Sequence, residues 1–376
     1  MRATRTLSLY VMRETLVHCG LAFFVLTLVL LTQNLLRRLD ELLLVGMTGE
    51  DLRAVLACVL PVVISYALPL AFLVGILLSV RRLGSDGELL GLRASGVGPT
   101  AFLMPHLLLG LAVSGLSAWL LMSVEHDARR ELVRIFKTVA ARGAILEPGK
   151  FRPIGTRLVY VEDRERTGQL RGVMIVDQGP GARPYRVFAD RGRFTFDETR
   201  SEILLDLRHG SIHLEPSPTA PTHYDRIRFE RFSYRVDVRP LLGADFGPVR
   251  PKQMNVEELR AVLARAERGD PLRELDQRDP LAYALELQRR RALPLAPLLF
   301  AGVGVPLALA SEHRRGSLGL LVCLVIALGY YALGSLAESL ATEGLVGVVL
   351  ASWMPNIVFA GLGLTMARLE QRRISA

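Results

Sequence analysis

Charge is what this sequence lacks over most of its length. Outside residues 125–291 the chain carries 14 Lys/Arg and 11 Asp/Glu in 209 residues, against 32 and 26 inside that segment. The middle therefore holds +6 of the formal +9. So uneven a distribution argues against a soluble enzyme, a nucleic-acid binder and a disordered regulator, all of which keep their charge spread over a solvated surface. Cysteine is scarce as well. Cys19, Cys58 and Cys323 fall in or beside apolar runs and none lies in the charged middle, so no disulfide is expected and the redox compartment stays open. Lysine is nearly missing, 3 against 43 arginines. A GC-rich genome is the bland explanation, yet the bias has a consequence, because a planar guanidinium grips phosphate through two parallel hydrogen bonds where an ammonium cannot.

What fills the uncharged parts is apolar sequence in long runs. Cys19–Leu36, Ala54–Val80, Ala292–Ala310, Ser317–Ala337 and Leu345–Ala367 carry no charge, and Val97–Val124 carries only His106. A bilayer core needs about 20 mostly apolar residues per helix. Buried helices of a soluble protein would show polar stripes at helical period, which these runs lack. Six spans follow, three on each side of the middle. The first is no cleaved leader: a polar stretch of some 18 residues precedes it and no small-x-small site follows Leu36. With the N-terminus inside, the short inner segments hold eleven arginines (Arg2, Arg5, Arg13, Arg81, Arg82, Arg93, Arg314, Arg315, Arg368, Arg372, Arg373) against Arg37, Arg38 and Arg53 outside. The positive-inside rule then puts both termini in the cytoplasm and residues 125–291 on the far side. Arg289, Arg290 and Arg291 run against that vote.

From Phe151 the pattern changes to short β-rich runs: 158–161, 173–176, 185–189, 193–196, 203–207, 211–214 and 227–238, broken at 167–168, 178–181, 209–210 and 216–221. Seven or so short strands at this spacing predict a sandwich or jelly-roll over about 145–240. Helical stretches bracket it. Residues 125–142 extend the third span, and Asn255-Val-Glu-Glu258 reads as a capping box opening a helix to about Arg268.

Catalytic signatures are wanting. Gly149-Lys150 lacks the remaining phosphate-loop residues, so no P-loop ATPase is expected in this chain. His209 and His213 are about 13 Å apart along one strand face, too far to share a metal ion. His106 reads as a hydrogen-bonded core histidine. No acid or base sits mid-span, which disfavours an ion-coupled transporter.

One cytoplasmic segment stands out, Ser85–Val97 between the second and third spans. It is helix-like, with Leu89, Leu92 and Val97 along an apolar edge beside Glu88 and Arg93. A short amphipathic helix there either lies on the membrane surface or docks into a groove of a separate motor protein. Glu88-Leu-Leu-Gly-Leu-Arg-Ala-Ser-Gly-Val97 resembles the E-[LM]-x-A-[LM]-R-A-[AS]-G-V signature of the LptF/LptG permeases of the lipopolysaccharide exporter. Trp353-Met-Pro-Asn356 resembles that family's W-[LM]-P-N, and the 304–331 stretch and the order of elements also fit. Gly91 stands where the family often has Ala, which should loosen the helix slightly.

The resemblance covers essentially the whole chain and implies an α-helical membrane protein of six transmembrane helices (3+3) with an inserted periplasmic β-jelly-roll-like domain. The parts would be 1–124 with a coupling helix at 85–97, 125–291, and 292–376. It implies a non-enzymatic permease subunit of the bacterial inner membrane, paired with a paralogous six-helix permease and a homodimeric cytoplasmic ABC ATPase that holds ATP and magnesium. It would withdraw lipopolysaccharide from the membrane and pass it to a periplasmic jelly-roll bridge protein. Nucleic acid has no part in it, and this chain needs no cofactor of its own. Glu88 and Arg93 would take the places of the family's coupling-helix glutamate and arginine, with Leu89 and Leu92 beside them. The family's lateral gate would fall on 14–38 and 317–338. The first span and Ile64–Arg82 resemble the LptF branch more than the LptG branch. Position and sign mark Arg37, Arg38, Arg289, Arg290 and Arg291 as candidate lipid-phosphate contacts at the outer face, with interfacial anchoring as the alternative. Two other classes stay open, a permease of a lipoprotein-release or mechanotransmission system and a membrane-anchored sensor. The first usually has four spans, and the second should have a cytoplasmic output domain that these short inner segments cannot fold.

Overall fold

A computed structural model describes residues 2–37, 48–141, 148–154, 157–165, 169–177, 184–197, 202–214, 225–237, 250–269, 280–310 and 318–375. In chain order the helices are α1 Arg2–Arg37, α2 Gly49–Ser85, α3 Glu88–Ala94, α4 Thr100–Trp119 and α5 Glu125–Ala141, then, after six strands, α6 Val256–Glu267, α7 Pro280–Ala292, α8 Ala296–Ala310, α9 Leu318–Thr342 and α10 Val348–Ser375. Six stretches among the described residues are long and apolar enough to cross a membrane: Thr6–Leu36, Gly49–Ser85, Thr100–Val139, Pro280–Ala310, Leu324–Thr342 and Val348–Glu370. The protein is a helical membrane protein with a β domain inserted between helices.

Two compact units emerge, residues 1–33, 59–128 and 251–376 in one, 34–58 and 129–250 in the other. The helical unit is built round Phe72, Ile76, Leu83, Phe102 and Phe300, each almost fully buried. Three of its helices meet at small residues. A Cβ on Gly110 would lie 3.1 Å from the Leu298 Cα, and Ser114 Oγ accepts from the Leu298 amide at 3.3 Å. The small-residue stripe of the third span thus seats α8 of its own chain. One turn before Pro306, whose ring leaves the Gly302 carbonyl without its helical partner, a Cβ on Gly363 of α10 would lie 3.1 Å from the Gly302 carbonyl carbon. The π-helical turn Leu120–Val124 joins α4 to α5 without a break.

The β unit contains β1 Phe151–Ile154, β2 Arg157–Arg164, β3 Gln169–Asp177, β4 Tyr185–Asp197, β5 Glu202–Leu214 and β6 Asp225–Asp237, all antiparallel and paired in sequence order. Fewer, longer strands replace the seven expected runs. The segments at 185–189 and 193–196 are one strand, as are those at 203–207 and 211–214. The gap between the runs ending at 189 and starting at 193, and the break expected at 209–210, both lie inside continuous strands. Pairing lapses at one residue per strand along a line across the sheet, Glu162, Gly172, Asp190, His209 and Glu230. Gly172 and His209 on that line have positive φ, 60° and 52°. In β3 and β4 the buried positions also slip by one there, from Leu170 to Val173 and from Ala189 to Gly192.

The sheet folds over on itself at this line, and one contact establishes it. Asp177 shares its register row with Tyr185, Leu214 and Asp225. Tyr234 is nine residues farther along β6, about 30 Å away in a flat sheet. Its hydroxyl nevertheless donates to the Asp177 carboxylate at 2.9 Å. Tyr185 Oη (3.0 Å) and Arg157 Nε (2.8 Å) donate to the same oxygen, and the Arg157 guanidinium stands 5.5 Å above the Tyr234 ring. A consecutive meander thereby makes two facing layers, an inserted antiparallel β domain whose strands run in simple sequence order.

Candidate functional site

The short helix α3 opens at Gly87, whose φ of 76° turns the chain sharply after α2. Its seven residues divide cleanly. Leu89 is fully buried in the helical core, and Leu92 packs against the same cluster. Arg93 reaches the Glu370 carboxylate of α10 at 3.6 Å and the Leu309 carbonyl of α8 at 3.4 Å. That carbonyl lies in the last turn of α8, where helical partners run out and a cation is favoured. Glu88 accepts from the Tyr10 hydroxyl of α1 at 2.8 and 3.1 Å. A helix of this length has no stability alone. Here three separate helices hold it, and the face left outward carries Glu88, Leu90, Gly91 and Ala94, with Leu90 69% exposed.

Of the four residues singled out from the sequence, Glu88 alone is on that outward face. Leu89, Leu92 and Arg93 turn toward their own chain. Leu90 is the residue sequence reasoning missed. A leucine between two others on a short helix carries no mark of its direction until the neighbouring spans are placed.

A polar network underlies α3. Thr15 of α1, fully buried, meets Ser79 Oγ of α2 at 3.0 Å and His106 Nε2 of α4 at 2.9 Å. His106 Nδ1 contacts the Phe102 carbonyl at 2.7 Å, so this histidine is a satisfied core residue as its setting predicts. Glu14 pairs with Arg82 and, at 3.4 Å, with His18.

The arginine run at the end of α7 also divides. Arg290 is buried, and its guanidinium is committed within the chain: Nε donates to Glu286, Nη1 to the Met254 carbonyl at 2.6 Å, and Nη2 to the Pro251 and Lys252 carbonyls. It clamps the turn that leads into α6, whose capping box is present as expected, with Asn255 and Glu258 exchanging bonds of 2.7 and 2.8 Å. Arg290 is thus occupied where the sequence offered it as a phosphate contact. Arg291 is exposed. Arg289 donates to the Tyr66 hydroxyl, stands 5.9 Å from that ring and pairs with Glu286 at 3.5 Å. It lines a cavity of about 190 Å³ shared with Tyr66, Tyr331, Ser335, Glu338 and Ser352. The Tyr331 hydroxyl and Ser352 Oγ are buried there with no hydrogen-bond partner among the described residues. Arg37 is the last residue of α1, and Arg38 lies outside the described residues.

The W-x-P-N residues have a structural task. Between α7 and α8 the chain makes a 3₁₀ turn, Leu293–Leu295, in which the Ala296 amide bonds the Leu293 carbonyl instead of the Ala292 carbonyl that an α-helix would offer it. Asn356 Nδ2 donates to the Ala292 carbonyl at 2.9 Å, while Asn356 Oδ1 accepts from the Tyr330 hydroxyl at 2.7 Å. Tyr330 in turn stacks edge-on with Phe300 and Phe359, each at 5.2 Å. One amide thus joins α9, α10 and the α7–α8 junction.

Residues 9–369 match the family described as lipopolysaccharide export system permease LptF/LptG. The chain is similar to lipopolysaccharide export system permease protein LptF of Escherichia coli K12, 22% identical over 363 residues, covering 95% of this chain and 93% of the relative. It is similar to the LptF protein of Shigella flexneri to the same extent.

Proposed function

The chain belongs to the LptF/LptG family of lipopolysaccharide export permeases, and on that basis we propose that it is the LptF-type half of an ABC exporter that withdraws lipopolysaccharide from the inner membrane. In this reading both termini and α3 are cytoplasmic and the β domain is periplasmic. A homodimeric ATPase binds ATP and magnesium and drives the cycle. A paralogous permease completes the membrane part, and a periplasmic jelly-roll protein receives the lipid. This chain supplies no ATPase chemistry of its own.

The observation that carries the reading is α3. A loop helix lying idle on the membrane would not need Tyr10, Arg93 and a fully buried Leu89 to fix it, whereas a helix that transmits force must be gripped by the body it moves. Glu88 and Leu90 on its outward face offer a motor protein one charge and one apolar knob. At the outer face the proposed lipid-phosphate contacts are Arg37, Arg38, Arg289 and Arg291, because in this orientation their places in the sequence fall at the outer ends of spans, where a guanidinium could grip a phosphate. Arg290 is better described as the clamp of the 251–254 turn.

The test is purification in detergent. Recovery of a second six-span subunit and a soluble ATPase with this chain is expected, and Leu90→Asp should release the ATPase while the two permeases stay together. A homo-oligomer without ATPase would refute the proposal. Charge reversal at Arg37 and Arg38 should lower lipopolysaccharide-stimulated ATPase activity, and unchanged stimulation would remove those two from the contact set.

A further inference from the structure

We propose that Tyr10 links the docking helix to the first membrane span, so that displacement of α3 by the motor is delivered to α1. The inference rests on α3 being the docking helix. Four contacts run between α1 and the α2–α3 segment, and they form a ladder. At its far end α1 and α2 touch backbone to backbone, since a Cβ on Gly75 would stand 2.8 Å from Cys19 Cα and N. Next comes Thr15 with Ser79 and His106, then Glu14 with Arg82, and finally Tyr10 with Glu88. Tyr10, Glu14, Thr15 and Cys19 recur at helical spacing, so one stripe of α1 makes every rung. From Tyr10 to Cys19 the ladder spans about 14 Å of helix.

Beyond Ala22 none of the described side chains of α1 is fully buried, and Phe24, Val25, Leu28, Val29 and Leu36 are each at least half exposed. The helix is therefore fastened to this chain along its N-terminal part and only lightly packed beyond it. A rigid helix held at one end and free at the other carries a displacement of its fastened end to its free end. Only the Tyr10 rung touches α3; the others hold α1 to α2 and α4. Tyr10 is thus a positioning residue, acting through Glu88.

The test uses the complex assembled with the partner permease and the ATPase, in nanodiscs of phosphatidylethanolamine and phosphatidylglycerol, with and without lipopolysaccharide. Tyr10→Phe removes one hydroxyl. The expected complex has wild-type stoichiometry, melting temperature and ATPase rate without lipopolysaccharide, while lipopolysaccharide-stimulated ATPase and lipid release fall about three- to tenfold, the scale of one ordinary hydrogen bond, since this one is exposed to solvent. As a second arm, the exchange of Glu14→Arg with Arg82→Glu should restore the stimulation that either single change removes. Unaltered stimulation in Tyr10→Phe overturns the link. So does a loss shared equally by basal and stimulated rates with a lowered melting temperature, which is what a merely structural role gives. Failure of the wild-type chain to bind an ATPase would instead strike the reading of α3 itself.

Discussion

Removing the Asn356 amide should loosen the helical unit at the α7–α8 junction, and the structure sets the size of the effect. Asn356→Ala leaves the Tyr330 hydroxyl unpaired in apolar surroundings and removes the side-chain bond to the Ala292 carbonyl. Asn356 is 5% exposed, so water cannot readily replace the amide. An orphaned buried group costs about 1–3 kcal/mol in a water-soluble protein. Inside a bilayer the same bonds average about 0.6 and reach about 1.7 kcal/mol, because the unfolded helices also find partners. Two bonds with a small cavity therefore give about 1–4 kcal/mol. Tyr330→Phe orphans only the amide oxygen and should cost about 1 kcal/mol. The two changes together should cost less than their sum, with a coupling of at least about 0.5 kcal/mol, since both delete one shared bond. The assay is equilibrium unfolding in mixed detergent–SDS micelles, followed by the fluorescence of Trp353 in a Trp119→Phe background, these being the only two tryptophans. Trp353 lies within one turn of the site. A loss below about 0.5 kcal/mol for Asn356→Ala, or strict additivity, would refute the argument.

Gly75→Ala should destabilise the helical unit by about 1–3 kcal/mol, because the added methyl meets the backbone of Cys19, which has no flexible end to yield; the same unfolding titration measures it. Gly210→Ala should weaken the β domain at least as much, since its Cβ would lie 2.1 Å from the Phe188 carbonyl oxygen, and faster cleavage of residues 145–240 by limited proteolysis would report it. The domain should also be alkali-sensitive. Burial first, then the bonds to Tyr185 and Asp177, push the Tyr234 phenol well above the usual value near 10. A folded-state value raised above the unfolded one adds stability that is complete below about pH 10 and lost as pH rises toward the folded value. Tyr234→Phe should flatten that alkaline decline, and an unchanged pH dependence would count against the buried Asp177 site as its cause. Arg290→Lys should free the 251–254 turn, seen as faster amide hydrogen exchange over 251–258, because an ammonium cannot serve three carbonyls and Glu286 at once.

Composition and periodicity make the six spans, the inserted β domain and the capping box at Asn255 readable from the sequence, because each depends on residues close in the chain. The fold line across the sheet escapes such reading: Asp190-Arg-Gly192 is a gap between two runs and His209-Gly210 reads as a break, and only the register of five strands shows both to lie inside continuous strands. Tyr10 escapes for the opposite reason. Its partner is 78 residues away, and nothing local distinguishes it from any interfacial tyrosine.

The arginine run shows most plainly why sequence position alone does not assign a site. Arg289, Arg290 and Arg291 are identical, adjacent and on one helix, yet each step along α7 turns the side chain by about 100°. One rotation directs a guanidinium into the cavity beside Tyr66, the next buries it under the carbonyls of 251–254, and the third leaves it at the surface. The same geometry parts Leu90 from Leu89 on α3, one outward and one in the core. In both places the residue type is written in the sequence, and its role is decided by helix rotation, which depends on packing against spans far away in the chain.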